Sequence, residues 1–288
     1  MSRVVTSSVR DWNGSGAGDE AIGALESGDV LFCPQLRFAV QRDEYVLFTP
    51  AILGGSKNAS FDPASGRVSG TSATGRDAEA LRRMMHRFSD AAAALVAQLF
   101  PAYHTRVEPR RASFRPAEIA GRATSWRKDD TRLHVDSFPA NPSGGKRILR
   151  VFTNVNPAGR ARSWRIGDQF EAVARRFAPE LRLPLPGTGY VLALLRVTKT
   201  PRSPYDALML QLHDRMKADA DFQARSPQTP VEFPAGSTWI AFTDQVSHAA
   251  MAGQHQLEQT FLLPVDAMRR PERSPLRVLE ALKGRRLT

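Results

Sequence analysis

Cysteine is nearly absent: Cys33 stands alone among 288 residues. No intramolecular disulfide can form, and no thiolate cluster can hold a metal. That usage fits a reducing compartment and leads us to expect a cytoplasmic protein. Long apolar runs are also missing. The longest, such as "AAAALVAQLF" (91–100), fall far short of a bilayer span. Residues 1–20 lack the charged-then-apolar order of a secretion signal. Tryptophan and tyrosine are sparse as well, with four of each. A protein that grips unpaired bases sets aromatic faces among its cations, so the composition gives little support to a nucleic-acid partner.

What is present is apolar content of 42%, ample for one large domain with a packed core, and a net charge of +11. The excess is carried by arginine; lysine occurs only at Lys57, Lys128, Lys146, Lys199, Lys217 and Lys283. Such a balance suits an anionic partner: nucleic acid, a membrane surface or an acidic small molecule. A GC-rich genome also raises arginine and alanine, so the charge points to partners and not to a site.

Along the chain no internal repeat occurs. "DVLFCPQLRFAV" (29–40) and "EYVLFTPAIL" (44–53) read as short strands, followed by a Gly/Ser-rich loop over 54–75. Leu81, Met84, Met85, Phe88, Ala92, Leu95 and Leu99 then recur at three-to-four spacing, which predicts a long amphipathic helix. From 112 to 266 the pattern is mostly strand: "ATSWR", "RLHVD", "RILRVFTNVN", "YVLALLRVTK", "STWIAFT" and "QLEQTFLLP". One helix, over 203–223, interrupts them. The expectation is a mainly β fold with flanking helices, a β-sandwich or jelly roll. We expect a single domain over 1–288. Strands and the long helix occupy 1–111, a core carrying a metal site occupies 112–266, and a basic helix occupies 267–288.

His134 and Asp136 stand two apart in "RLHVD", so a strand would turn both to one face. The pair alone is a weak signal. A third ligand is available at His248, which follows a Pro/Gly turn and a buried-looking strand in "FPAGSTWIAFTDQVSHAA". Two imidazoles and one carboxylate on one triangular face leave metal positions open, as in non-haem Fe(II) oxygenases. The plainer alternative is two buried, hydrogen-bonded histidines with Asp136 capping a turn. His213, inside a helical pattern, reads as a surface or substrate-side residue. His255 follows a polar loop, and His86 and His104 belong to the long helix and its exit.

Arg150 shares one face of "KRILRVFTNVNP" with Ile148, Phe152 and Asn154. Burying an unpaired guanidinium costs several kcal/mol. Either a structural Asp or Glu meets it, or a dicarboxylate co-substrate such as 2-oxoglutarate does through a bidentate fork. Many such dioxygenases anchor 2-oxoglutarate with an arginine about ten residues after the second histidine. Residues 249–264 contain no Arg or Lys, so that anchor is missing, which either counts against a 2-oxoglutarate enzyme or shifts the anchor to Arg150.

With "SWRKDDTRLHVDSFPANPSGGKRILRVFTNVNP", "RSPYDALMLQLHDRMK" and "WIAFTDQVSHAAMAGQHQLEQTFLLP" together, the chain resembles the Kdo 3-hydroxylases of Gram-negative bacteria over most of 110–270. The resemblance implies a double-stranded β-helix of the cupin-like kind. It also implies Fe(II), 2-oxoglutarate and dioxygen as the reacting set, and hydroxylation of Kdo at its third carbon in lipid-A-linked lipopolysaccharide, giving Ko. By the same resemblance His134, Asp136 and His248 are iron ligands, Arg150 anchors 2-oxoglutarate, and Arg115, Arg162 and Trp164 surround it. Two other readings stand beside this one: a nucleic-acid dioxygenase, and a metal-free jelly-roll module that binds anionic glycolipid.

A lipid-linked substrate would bring the protein to the cytoplasmic leaflet of the inner membrane. Leu276, Leu279, Leu282 and Leu287, beside Arg277, Lys283, Arg285 and Arg286, form a basic amphipathic pattern suited to that contact. The same pattern equally suits a helix packed on the core.

Overall fold

β-branched and aromatic residues at alternating depth set the architecture. In the computed structural model, which describes residues 1–14, 18–122 and 124–288, the chain opens with β1 (Val4–Thr6), α1 (Gly18–Glu26) and β2 (Val30–Cys33). β3 (Ala59–Asp62), β4 (Arg67–Ser69) and the long α2 (Gly75–Leu99) follow, then β5 (Glu108–Arg115), β6 (Arg147–Asn154) and β7 (Arg162–Ile166). Four helices come next: α3 (Phe170–Phe177), α4 (Thr188–Leu194), α5 (Pro204–Ala218) and α6 (Ala220–Arg225). β8 (Thr229–Phe233), β9 (Thr238–Phe242), β10 (His248–Ala252), β11 (Gln256–Leu263) and α7 (Pro275–Lys283) complete the chain.

Eight strands form a mixed sheet in the order β1-β2-β9-β6-β11-β5-β3-β4, parallel at β1/β2 and antiparallel elsewhere. β10, β7 and β8 form a second, antiparallel sheet. The two face each other across Phe152 and Trp239 from one and Trp164 and Phe233 from the other, with ring centroids 4.1–5.6 Å apart. The outer face of the large sheet carries Leu149, Val151, Ile240 and Phe242 into a core shared with α1, α2, α3 and α5. Each such side chain contributes about 1.5–3 kcal/mol by leaving water. Helices therefore flank one side, while the space between the sheets is left for the site. The boundary expected at 111/112 falls inside β5, so the N-terminal strands extend the same sheet.

Several expected strands take other forms. Residues 44–53 fold as two 3-10 turns, Arg42–Leu47 and Pro50–Ile52. There the buried Glu44 accepts from the Gln41 amide at 2.7 Å and from Arg87 at 2.6 Å, a local cap that outweighs strand propensity. Residues 190–194 belong to α4 and 195–199 form the turn that ends it, with local bonds satisfying the backbone. Of the expected strand 123–127, Ala123 lies outside the described residues, and Trp126–Lys128 form a 3-10 turn. The loop 54–75 contains the β3/β4 hairpin, with Gly66 at φ 68° in its turn.

α7 spends its apolar face on the protein: Leu276, Leu279 and Leu287 are buried. Lys283 Nζ donates to the Ala178 and Leu181 carbonyls, both at 2.8 Å, and the Tyr205 amide donates to the Leu287 carbonyl at 3.1 Å. Of the two readings of the tail, the packed helix matches these contacts. Leu279→Ala is accordingly expected to lower unfolding stability by about 2–5 kcal/mol in urea titration and to leave vesicle binding unaltered.

Candidate metal centre

His134 and His248 meet through their backbones. Each amide donates to the other's carbonyl, at 2.9 and 2.8 Å, in an isolated antiparallel bridge. Directly opposed residues project to the same face, so the two imidazoles stand with centroids 4.7 Å apart. The expected strand "RLHVD" is reduced to this one bridge. The Asp136 amide turns away to donate to the Thr243 carbonyl at 2.8 Å, and Asp136 Oδ1 lies 3.7 Å from His134 Nε2. The three side chains offer ligand atoms within 4.8 Å of one another.

Both rings are set for coordination by their other nitrogen. His134 Nδ1–H donates to the Arg132 carbonyl at 2.7 Å and His248 Nδ1–H to the Val246 carbonyl at 2.8 Å. A carbonyl can only accept, so each Nε2 keeps its lone pair. Burial pushes His134 down to about 4 and also lowers His248, leaving both neutral near pH 7. Burial opposes ionisation of Asp136, but the Arg150 guanidinium and the two imidazoles outweigh it and hold the carboxyl well below its usual range. Two neutral nitrogens and one carboxylate on a single face, with no thiolate, fit Fe(II) with open positions beside it.

Arg150 lies between two carboxylates. Its Nη2 is 3.2 Å from Asp136 Oδ2 and its Nη1 is 3.3 Å from Glu258 Oε1, while Phe138 covers the guanidinium at 5.6 Å. Arg115 forks onto Glu258 at 3.0 and 3.1 Å and reaches Asp130 at 3.7 Å. Arg162 is buried and donates from Nη1 to the Gly253 carbonyl at 3.0 Å. Burial, reinforced by the nearby Arg115, pushes its guanidinium down to about 9. Trp164 stacks on the His248 ring at 5.0 Å and 21°. All seven candidates thus converge on one locality. Arg150 Nε, Arg162 Nε and Trp164 Nε1 are buried donors without protein partners. Leaving such groups unpaired is costly, and an anion with several oxygens would satisfy them.

Glu258 escaped the sequence reading. It faces Phe152 and Ser113 in register, beside Arg150 and Arg115, and only strand pairing reveals that. Asp130, which pairs with Lys57, was equally hidden. His213 stands edge-on to His134 at 5.3 Å and contacts Asp214 at 3.0 Å, beside the ligand cluster but outside it.

A profile of the 3-deoxy-D-manno-oct-2-ulosonic acid (Kdo) hydroxylases matches residues 11–286. Among solved structures, the Kdo hydroxylase KdoO bound to α-ketoglutarate and Fe(III) is 46% identical, with a TM-score of 0.96 over 99% of this chain and 97% of that one. The cobalt(II) form of KdoO is 47% identical with the same TM-score and coverage. Its complex with succinate and Fe(III) is 46% identical with a TM-score of 0.95, again over 99% and 97%. Comparison with curated proteins gives no match. This chain belongs to the Kdo hydroxylase family.

Proposed function

We propose that this protein is a non-haem Fe(II)- and 2-oxoglutarate-dependent dioxygenase that hydroxylates the third carbon of Kdo on a lipid-A-linked acceptor, giving Ko. The observation that carries the reading is the one-sided cluster of His134, Asp136 and His248 beside three buried, unpartnered donors. We read the two facing sheets as a double-stranded β-helix, with the iron site between its layers.

In this reading His134, Asp136 and His248 hold the iron. Arg150 and Arg162 receive the carboxylates of 2-oxoglutarate. Trp164 fixes the His248 ring and lends its indole N–H, while Arg115 holds Glu258 in place beside Arg150. When bound, iron with 2-oxoglutarate and dioxygen supplies the oxidation of an unactivated carbon, and 2-oxoglutarate is converted to succinate and carbon dioxide. The chain's own work is to orient the sugar and exclude water. A cavity of about 610 Å³ opens on Arg150 and carries Arg110, Arg111, Arg115 and Lys199 against Asp62 and Glu258. That excess of cations suits a carboxylated sugar on a phosphorylated lipid.

The test is anaerobic loading with Fe(II), followed by 2-oxoglutarate, air and Kdo-lipid A. Succinate should form in step with one added oxygen on Kdo, placed at the third carbon by NMR. Turnover of 2-oxoglutarate with no oxygen on the sugar would overturn the substrate assignment, and oxygen at another carbon would correct the position.

A further inference from the structure

Among the described residues ten large apolar side chains are exposed, and seven of them fall between Leu183 and Val197. Leu185 is 79% exposed, Tyr190 74%, Leu194 82% and Leu195 66%. Scattered exposed leucines are ordinary, whereas a cluster of this density marks an interaction surface. The same stretch is uniformly basic. Arg182, Arg196, Lys199 and Arg202 lie in it, and no Asp or Glu occurs from 181 to 205.

The backbone presents this face under strain. α4 ends with the Val197 amide donating to the Leu192 carbonyl at 2.9 Å and the Arg196 amide to the Ala193 carbonyl at 3.0 Å. This closing motif usually places glycine in the left-handed position. Here Arg196 occupies it at φ 56°. The strained turn sets a guanidinium directly after the apolar helix.

The segment also borders the site. Lys199 lines the cavity that opens on Arg150, and its amide donates to the Ala140 carbonyl at 3.0 Å. Arg202 Nη2 donates to the Pro139 carbonyl at 2.6 Å. The loop it grips follows directly on Asp136.

We infer that residues 182–202 are a docking surface for an anionic lipid bilayer, which the apolar side chains enter while the four cations meet lipid phosphates. The inference rests on the lipid-linked substrate proposed above. A second copy of this chain would set cations against cations, whereas an anionic leaflet complements them. The tail offers less apolar surface, because Leu276, Leu279 and Leu287 are buried and Leu282 is half-buried against the core.

The experiment uses the full chain, vesicles of phosphatidylethanolamine with phosphatidylglycerol, and vesicles of phosphatidylcholine alone. The protein should co-sediment with the anionic vesicles and release at high salt. A Leu194→Ser/Leu195→Ser double variant should lose about tenfold or more in partitioning. Arg196→Gly should lose about fivefold, yet melt no lower than the parent because its turn is relieved. Both variants should turn over a water-soluble Kdo disaccharide as the parent does. Parental vesicle binding by the double variant, or no vesicle binding by the parent, would overturn the inference. So would a parental dimer that the double variant dissociates without any lipid binding, since the face would then join two copies. A parent that binds vesicles but leaves soluble Kdo unchanged would count against the catalytic reading and leave the docking surface standing.

Discussion

Alanine in place of His134 or Asp136 is expected to reduce 2-oxoglutarate turnover to the uncatalysed background while the protein stays folded. In the proposed site each side chain supplies one of three ligands, and two would not hold iron with the remaining positions open and fixed. The fold should survive because His134 joins His248 through backbone amides that alanine retains. Asp136 likewise keeps its amide bond to Thr243. Anaerobic equilibrium dialysis with Fe(II), paired with succinate formation, checks both halves. Sustained turnover in either variant would refute the triad.

Arg150→Ala should raise the KM for 2-oxoglutarate by about 30-fold or more, since losing one partner of a buried charge-assisted pair costs about 2–5 kcal/mol. Iron affinity should fall far less, because all three ligands remain. Arg115→Ala should have the smaller effect on KM, since its Nε and Nη2 both donate to Glu258, at 3.0 and 3.1 Å, whereas Arg150 Nε has no protein partner. Arg150→Lys separates charge from geometry: it keeps the cation, loses the planar fork, and should recover only part of the affinity. An unchanged KM in Arg150→Ala would transfer the anchor to Arg162, the buried guanidinium with an unpartnered Nε.

The parts of the fold legible in the sequence are those where one period runs long enough to decide. The 25-residue α2 shows its 3.6-residue repeat throughout, and β6 and β11 show eight residues of strand composition. Short apolar runs cannot separate strand from helix by period alone. Residues 44–53 accordingly went to 3-10 turns, and 190–199 to the end of α4 and the turn after it. In the site, the two-residue spacing of His134 and Asp136 drew attention to the pair, but the strand it presupposed is a single bridge and Asp136 is placed by its amide bond to Thr243. Glu258 was not legible, since its meaning comes from register with β5 and β6. Arginines in β6 make the same point. Arg147, three residues before Arg150, faces the other way and is fully buried against Asp244 at 2.8 Å and the Phe242 ring at 3.9 Å. One is a structural pair and the other borders the metal centre, a difference set by strand parity.

The backbone bridge between His134 and His248 also governs timing. Its two halves come from distant parts of the chain, so the bridge forms only after β10 has reached the residues before β6. Contacts between such remote segments are late events in folding, because chain closure must precede them. On the ligand set proposed above, a nascent chain that has not yet delivered His248 would lack the third ligand altogether. Iron capture by that set would therefore wait for β10, and retained metal would be a readout of completed folding.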